Sequence, residues 1–319
     1  MSRIIAVLVA AALCWAGAAH AQSFPDRSVR IVVPFPPGGA VDILGRMVGQ
    51  QLGEKWKQPV VIDNRPGGGT VLGASLVAKS PPDGYTILLT VTAHTVNATL
   101  MEKLPFDPVK DFAPITMAAS GLTILVINPA LPVSSVSQLI AHAKANPGKL
   151  NFGSPGNGTA MHLSGEMFKY AAGINALHVP YKGTQPLLTA LLAGEVDYTF
   201  DTGIAMEFIK AGRLKALAVT TPKRTALVPD LPTLAEAGLP GFVAQSWYGF
   251  LAPAGTPPEL VAQLSRDINA TLQGPAARET LARILMEPQG TTPAAFEQYL
   301  KDDIVKWRQV IKDAGVKVE

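Results

Sequence analysis

The stretch Val29-Arg-Ile-Val-Val-Pro-Phe-Pro-Pro-Gly-Gly-Ala-Val-Asp42 joins a short apolar run, a turn rich in proline and glycine, and the start of a helical pattern. The stretch Leu150-Asn-Phe-Gly-Ser-Pro-Gly-Asn-Gly-Thr-Ala-Met-His162 has the same build. Each predicts a strand that turns tightly into a helix, whose first N–H groups lack partners and carry the positive end of the helix dipole. Two such ends on two lobes would clamp a small anion, which favours capture of a carboxylate over chemistry on it.

Strand-like and helix-like segments alternate on both sides of these two turns. After the first turn, Val41–Leu52 has helical spacing, and Val60–Asp63 and Thr86–Thr92 predict strands. Around the second turn, Leu122–Asn128 and Val196–Phe200 predict further strands. Such alternation is typical of parallel sheets covered by helices, so we expect an α/β fold with two lobes.

The domain organisation follows from where the chain is expected to pass between the lobes. A length of 319 residues is typical of two domains rather than one. We predict two crossings, near residues 120 and 225. Lobe 1 would then comprise residues 22–121 and 226–319, and lobe 2 residues 122–225, with a hinge and a ligand cleft between them.

The N-terminus has the features of a secretory signal. Arg3 precedes the apolar run Ile4–Leu13, and Ala19-His-Ala21 fits a cleavage site, so we predict a signal peptide over residues 1–21. Cys14 is the only cysteine, and its loss with the signal would leave neither a disulfide nor a thiol nucleophile. We therefore expect an exported protein located in the periplasm.

The candidate ligand-binding residues lie in the two turns and at the carboxyl ends of strands, where ligands of open α/β sheets bind. The first turn supplies Phe35, Pro36, Pro37, Gly38, Gly39, Ala40 and Asp42, and the second supplies Ser154, Gly156, Asn157, Gly158 and Thr159. Two strand ends add Thr92, His94, Asp201 and Thr202. A purely structural interpretation stays open, because capped βα turns would also use Asp42 and Thr159.

Motifs of the main catalytic and cofactor-binding classes are absent from the sequence. Gly67-Gly-Gly69 does not fit the dinucleotide fingerprint, and there is no P-loop, no His-Glu-x-x-His and no Gly-x-Ser-x-Gly. His162 and His178 have no acidic cluster near them in sequence, so we interpret them as structural histidines. Scattered basic residues and a net charge of +3 disfavour nucleic-acid binding. We therefore expect no catalytic residue, no metal and no cofactor.

A series of further motifs, in a fixed order, carries a family resemblance. They are Pro34–Asp42, Asp63-Asn-Arg-Pro-Gly-Gly68, Pro82-Asp-Gly-Tyr-Thr86, Lys110-Asp-Phe-Ala-Pro114, Ala143–Asn151, His178-Val-Pro-Tyr-Lys-Gly183, Leu231–Gly238, Trp247 and Ala252–Pro257. From Phe24 to Val316 the chain resembles the Bug/TctC family of extracytoplasmic solute receptors, the binding proteins of tripartite tricarboxylate transporters. One departure is Thr189-Ala190, where family members often carry an acidic residue.

The resemblance implies a type II periplasmic binding protein fold, in which two α/β lobes close over the ligand. It implies that Phe35–Ala40 and Ser154–Thr159 hold a small carboxylate, partly through ordered water. It also implies the membrane subunits of a tripartite tricarboxylate transporter as partners, and we expect a monomer. Two alternatives stay open at this point, a ligand-binding sensor subunit and a secreted hydrolase.

Overall fold

The structure, a computed structural model, describes residues 24–101 and 103–314. The signal peptide predicted for residues 1–21, with Cys14, lies outside the described residues. Two sheets, each with its own helices, form two α/β lobes. The predicted alternation of strands and helices is therefore confirmed.

The first lobe is built on a mixed sheet of six strands. From edge to edge these are β11 (Met286–Pro288), β4 (Phe112–Leu122), β10 (Gln245–Pro253), β3 (Thr86–Val91), β1 (Val29–Val33) and β2 (Val60–Asn64). Strands β2, β1 and β3 are parallel, whereas β10 is antiparallel to both of its neighbours. Every residue of β3 is buried, which explains its continuous apolar run, because helices cover both faces of the sheet.

The second lobe is built on a mixed sheet of five strands. Their order is β7 (Ala176–Pro180), β6 (Leu150–Ser154), β8 (Tyr198–Asp201), β5 (Ile124–Ile127) and β9 (Lys215–Val219). Strands β7, β6 and β8 are parallel, and β5 is antiparallel to β8 and β9. The carboxyl ends of the parallel strands therefore meet at one edge in each lobe.

Ten α-helices accompany the two sheets in the described part of the chain. The first sheet has α1 (Ala40–Trp56), α2 (Val71–Ala78), α3 (Ala93–Leu100), α8 (Pro258–Thr271), α9 (Pro275–Arg283) and α10 (Pro293–Ala314). The second sheet has α4 (Val136–Ala145), α5 (Ala160–Ala172), α6 (Thr184–Ala193) and α7 (Met206–Lys210). Leu44, Val48 and Leu52 show why α1 forms, because their helical spacing buries one face completely in the first core.

The chain crosses between the lobes at two adjacent segments. The first crossing is Thr123, between β4 and β5, and the second is the junction of Ala244 with β10. Thr220 links them, because its N–H donates to the Thr123 carbonyl at 3.1 Å and its carbonyl accepts from the Ala244 N–H at 3.0 Å. These hydrogen bonds tie the two crossings into one narrow hinge.

The second crossing lies later in the chain than residue 225. Leu234, Leu239 and Phe242 are buried in the core of the second lobe, and the Leu234 N–H donates to the Val219 carbonyl at 2.9 Å. Residues 226–244 thus pack with the second lobe, although the sequence-based boundary assigned them to the first. The physical reason is that their apolar side chains complete a core that β9 leaves open.

A small apolar cluster joins the two lobes beside the hinge. Val96 of α3 and Trp307 and Ile311 of α10 pack against Leu163 of α5. All four side chains are buried. The first turns of α5 are therefore in direct contact with the last helix of the chain.

Candidate ligand-binding site between the lobes

The loop between β1 and α1 is held by Asp42, whose side chain is buried. Its carboxylate accepts from Gly38 N–H at 3.0 Å, from Arg46 Nε at 2.8 Å and from Asn64 Nδ2 at 2.9 Å. Burial alone would raise the pKa of Asp42, but these hydrogen bonds outweigh it and lower the pKa below its usual value. Asp42 stays ionised and fixes the turn from behind.

The loop between β6 and α5 is held by Thr159, Ser154 and two histidines. Thr159 caps the helix, since its Oγ1 accepts from His162 N–H at 3.3 Å and donates to the Gly156 carbonyl at 2.7 Å. Gly158 N–H donates to His162 Nδ1 at 3.1 Å. Ser154 Oγ lies 2.7 Å from His178 Nε2. The predicted structural interpretation of both histidines fits these contacts.

The two histidines form a buried stack. Their ring centroids lie 4.1 Å apart, and Phe152 stacks on His178 at 4.7 Å. Burial lowers the pKa of His162 to about 4 and that of His178 to about 3. Both rings are therefore neutral at physiological pH, and His162 can accept the Gly158 N–H. The Ser154 hydroxyl is fully buried. We therefore interpret the Ser154–His178 pair as a contact that stabilises the loop.

An inner chamber, partly open to solvent, lies between the two loops. Ala40 and Val41 at the start of α1 and Ala160 and Met161 at the start of α5 all line it. The first N–H groups of a helix have no partner within the helix and carry partial positive charge. Two helix N-termini, one from each lobe, thus converge on one chamber.

The remaining wall of the inner chamber is mostly apolar. Phe35, Val91 and Tyr248 come from the first lobe, beside the hydroxyl of Ser246. Thr184 and Thr202 come from the second lobe, and Thr202 Oγ1 is buried without a hydrogen-bond partner among the described residues. The wall of the chamber therefore includes a threonine whose hydroxyl has no hydrogen-bond partner in the described part of the chain.

An outer compartment continues from the inner chamber. Phe35, Pro36, Pro155, Thr159 and Gly183 line both spaces. The outer walls are Gly67–Thr70 from the first lobe and Gly156, Tyr181 and Lys182 from the second. A ligand in the inner chamber would be reached from this side.

At the entrance to the cleft, the segments around Gly158 and Gly183 face Asn97 and Pro36 of the other lobe, and we call these facing segments the lips. The lips approach each other so closely that glycine is needed. A Cβ on Gly158, whose φ is +74°, would lie 2.9 Å from Asn97 Oδ1, and one on Gly183 would lie 3.0 Å from Pro36 Cγ. Asn97 Nδ2 donates to the Gly69 carbonyl at 2.7 Å. The two lobes thus touch across the cleft.

The structure sorts the sixteen sequence-predicted residues into three groups. Phe35, Pro36, Gly39, Ala40, Thr159 and Thr202 line the inner chamber, and Gly156 lines the outer compartment. Pro37, Gly38, Asn157 and Gly158 lie in the two loops at the lips of the cleft. Asp42, Thr92, His94, Ser154 and Asp201 are buried and do not line either space. The side chains of these five residues instead make hydrogen bonds to neighbouring parts of the protein.

Thr92, His94 and Asp201 show what those supporting contacts are. Thr92 Oγ1 accepts the Trp247 N–H at 3.1 Å, and His94 Nε2 bonds the Pro108 carbonyl at 2.8 Å. Asp201 Oδ1 accepts the N–H groups of Gly203 and Ala205, both at 2.8 Å. Burial lowers the pKa of His94 to about 4 and raises that of Asp201 to about 6.

Sequence reasoning missed several lining residues. Val41, Val91, Met161, Gly183, Thr184, Ser246 and Tyr248 line the inner chamber but were not among the candidates. Gly183 ends the quoted His178–Gly183 motif, and Ser246 and Tyr248 flank the quoted Trp247. Those two motifs were the signal that could have found them.

Two further features concern the helices and the acidic, cysteine and histidine side chains of the described residues. Within residues 24–101 and 103–314, every helix is too short or too polar to cross a membrane. In the same ranges, His, Cys, Asp and Glu nowhere form a group of three able to hold a metal ion.

Comparison with known proteins decides the family. The family model described as the tripartite tricarboxylate transporter family receptor, TctC, matches residues 44–316. This chain belongs to the TctC family. The protein BugT of Bordetella pertussis is 36% identical to this TctC chain, over all of this chain and 99% of BugT. TctC proteins are receptors for solutes, and the resemblance to Bug/TctC receptors predicted from the motifs is confirmed.

Solved TctC-like structures confirm the type II periplasmic binding protein fold. An R. palustris protein solved with adipate is 38% identical, with a TM-score of 0.89, covering 92% of this chain and 99% of that one. The periplasmic binding protein BugD is 33% identical, with a TM-score of 0.88, covering 93% and 100%. MatC from Rhodopseudomonas palustris, solved with malate, is 31% identical, with a TM-score of 0.85, covering 90% and 100%.

Proposed function

We propose that this chain is a periplasmic receptor that captures a small carboxylate between its lobes and delivers it to the membrane subunits of a tripartite tricarboxylate transporter. The observation that carries the proposal is the convergence of α1 and α5 on one inner chamber, with Ala40 and Val41 facing Ala160 and Met161. Unpaired N–H groups at two helix ends stabilise an anion without any cationic side chain.

The family and its solved members support this proposal. Two neighbours above 30% identity were solved with adipate and malate, both small carboxylates. The deep burial of Ser154 fits a receptor better than a hydrolase that would use this serine as its nucleophile. We further propose that residues 1–21 direct export to the periplasm, that the receptor acts there as a monomer, and that the loops Phe35–Ala40 and Pro155–Thr159 hold the carboxylate, with Ser154 supporting the second loop from within.

Calorimetry with matched pairs of ligands tests capture of a carboxylate. The exported protein, stripped of co-purified ligand by unfolding and refolding, is titrated with adipate, malate and hexanoate, and with hexanamide as the uncharged counterpart of hexanoate. We expect at least one carboxylate to bind and hexanamide to bind at least about tenfold more weakly, because the helix ends favour an anion. Failure of every carboxylate to bind contradicts the proposal.

Delivery is tested separately in cells. A strain that lacks this receptor but keeps the membrane subunits should lose uptake of the labelled ligand, and a plasmid copy should restore it. Normal uptake in the strain without the receptor would contradict the transport role and leave capture of the carboxylate intact.

A further inference from the structure

The lack of charge on the described walls of the inner chamber limits which chemical groups the rest of the ligand can carry. Of the described residues that line the inner chamber, none has a charged side chain. Phe35, Val41, Val91, Met161 and Tyr248 provide an apolar wall beside the helix ends. A charge placed against such a wall without a partner loses its hydration and gains nothing in return.

The polar groups of the chamber are few and uncharged. Ser246 Oγ is already used, because it donates to the Gly121 carbonyl at 3.2 Å and contacts Tyr248 Oη at 3.3 Å. Burial raises the pKa of Tyr248 to about 12, so its hydroxyl remains neutral. Thr202 Oγ1 is buried without a partner among the described residues, so this hydroxyl can serve as a donor to a carboxylate oxygen in the chamber that Thr202 lines. Together with the N–H groups at the two helix ends, this hydroxyl supplies hydrogen-bond donors for one carboxylate.

Charged residues near the chamber are poorly placed to bind a second charged group. Asp201 is buried and does not line the chamber, and its Oδ1 accepts from the N–H groups of Gly203 and Ala205, although Oδ2 has no partner within residues 24–101 and 103–314. Lys182 is exposed and lines only the outer compartment. A second carboxylate inside the chamber would therefore face no cation, and an ammonium group would face no accessible carboxylate.

We propose that the preferred ligand is a monocarboxylate with an uncharged, largely hydrocarbon body, its carboxylate at the two helix ends and its body against Phe35, Val41, Val91, Met161 and Tyr248. This rests on the proposed capture of a carboxylate and names the class of ligand. It differs from a dicarboxylate, a hydroxylated tricarboxylate or an amino acid in having one charged group.

Three six-carbon acids separate these classes at nearly constant size. Hexanoate has one carboxylate, adipate adds a second, and 6-aminohexanoate adds an ammonium group at the far end. By calorimetry on the stripped protein, we expect hexanoate to bind at least about tenfold more tightly than either partner, because the added charge is desolvated without compensation. Adipate, 6-aminohexanoate or malate binding as tightly as hexanoate, or more tightly, would overturn the inference while leaving capture of carboxylates standing.

Lys182→Ala provides the matched control variant. Because Lys182 is exposed and lies outside the inner chamber, the variant should bind hexanoate within about twofold of the unmodified protein. If adipate binds the unmodified protein more tightly than hexanoate and Lys182→Ala removes that advantage, the second carboxylate is bound in the outer compartment and the inference is wrong. If no acid of any class binds, the proposed function fails together with it.

Discussion

At the scale of single residues, the unused hydroxyl of Thr202 has the most direct consequence for binding. Thr202→Val removes a buried Oγ1 that has no partner in the described protein but lines the inner chamber. We expect the ligand affinity to fall about fivefold, equivalent to about 1 kcal/mol for one hydrogen bond, while the free energy of unfolding stays the same or rises. Calorimetry and urea unfolding measure the two quantities.

Thr90→Val is the matched control for Thr202→Val. Thr90 Oγ1 is also buried without a partner in the part of the chain that the structure describes, but Thr90 does not line the chamber. Its replacement should leave the affinity unchanged. Equal losses of affinity in both variants would show that Thr202 acts through the fold rather than through the ligand.

Gly158 is the residue at which the lips of the cleft have least room. Gly158→Ala places a Cβ 2.9 Å from Asn97 Oδ1 and forces a non-glycine residue to a φ of +74°. We expect the backbone strain to lower the free energy of unfolding by about 1 kcal/mol. We also expect the blocked approach of the lobes to weaken ligand binding by much more than this loss of stability.

Gly173→Ala separates the strain at Gly158 from the blocked approach. Gly173 ends the same helix, α5, with a φ of +59°, and a Cβ there meets nothing within 4 Å. This variant should lose similar stability and retain affinity. If it loses as much affinity as Gly158→Ala, close contact at the lips is irrelevant to binding.

At the scale of elements, the start of α5 depends on a neutral His162, which accepts the Gly158 N–H. The pKa of His162 is about 4 in the folded protein, below about 6.5 in an unfolded chain. Between these values the unfolded state binds more protons, so the free energy of unfolding falls as the pH falls below about 6.5. At pH 5 the titration of His162 alone should lower the free energy of unfolding by about 2 kcal/mol.

Urea unfolding at pH 7 and pH 5 checks the effect of His162. His162→Asn keeps an acceptor for Gly158 N–H but does not titrate, so its stability should change less between the two pH values. Asp201 acts in the opposite direction, because its pKa is raised to about 6 and protonation on acidification favours the folded state. An equally steep loss of stability in His162→Asn would rule out His162 as the source.

How much of each element could be predicted depended on how local its cause is. The βα turns at Gly39 and Thr159 were predictable, because caps and tight turns are set by neighbouring residues. Strand β4 was missed because Pro114 and a run of small residues weaken the strand pattern, although pairing with β10 imposes it. Helix α3 was missed because its composition is poor for helices, and burial against α10 compensates.

The candidate site was predictable only where it is made of these turns. Tyr248 and Met161 enter the inner chamber from elements far apart in sequence, and their lining position depends on how the lobes meet. Asp201 was expected at the cleft because it ends a strand, but two N–H groups of its own loop hold its carboxylate inside the lobe. The sequence pattern predicts where the strand ends, but it does not predict that nearby backbone N–H groups bind the Asp201 carboxylate before a ligand can.

At the scale of the whole molecule, we predict that the ligand draws the lobes together about the hinge at Thr123 and Thr220. An anion bound by helix ends from both lobes interacts best with the closed arrangement, and only this difference in affinity can shift the population. Small-angle scattering should give a smaller radius of gyration with saturating hexanoate, or with another carboxylate shown to bind. An unchanged radius with that acid bound would indicate a rigid, preformed site.

A covalent lock provides the reference for the closed state. A Cβ on Gly183 would lie 3.5 Å from Pro36 Cβ, which is within the range of about 3.5–4.5 Å for disulfides. The double variant Pro36→Cys and Gly183→Cys, when oxidised, should have the small radius without any ligand. Reduction should restore the dependence of the radius on ligand.

The way the two sheets draw on the chain also sets an order of assembly during synthesis. Strands of the second sheet come from one continuous stretch, residues 124–219, whereas the first sheet needs β10 and β11 from residues 245–288 to join strands made much earlier. Nascent protein emerges from its N-terminal end, and pairing of distant strands is slow. The middle of the polypeptide therefore completes its sheet first, and β1 to β4 wait, with exposed edges, for the last third of the chain to arrive.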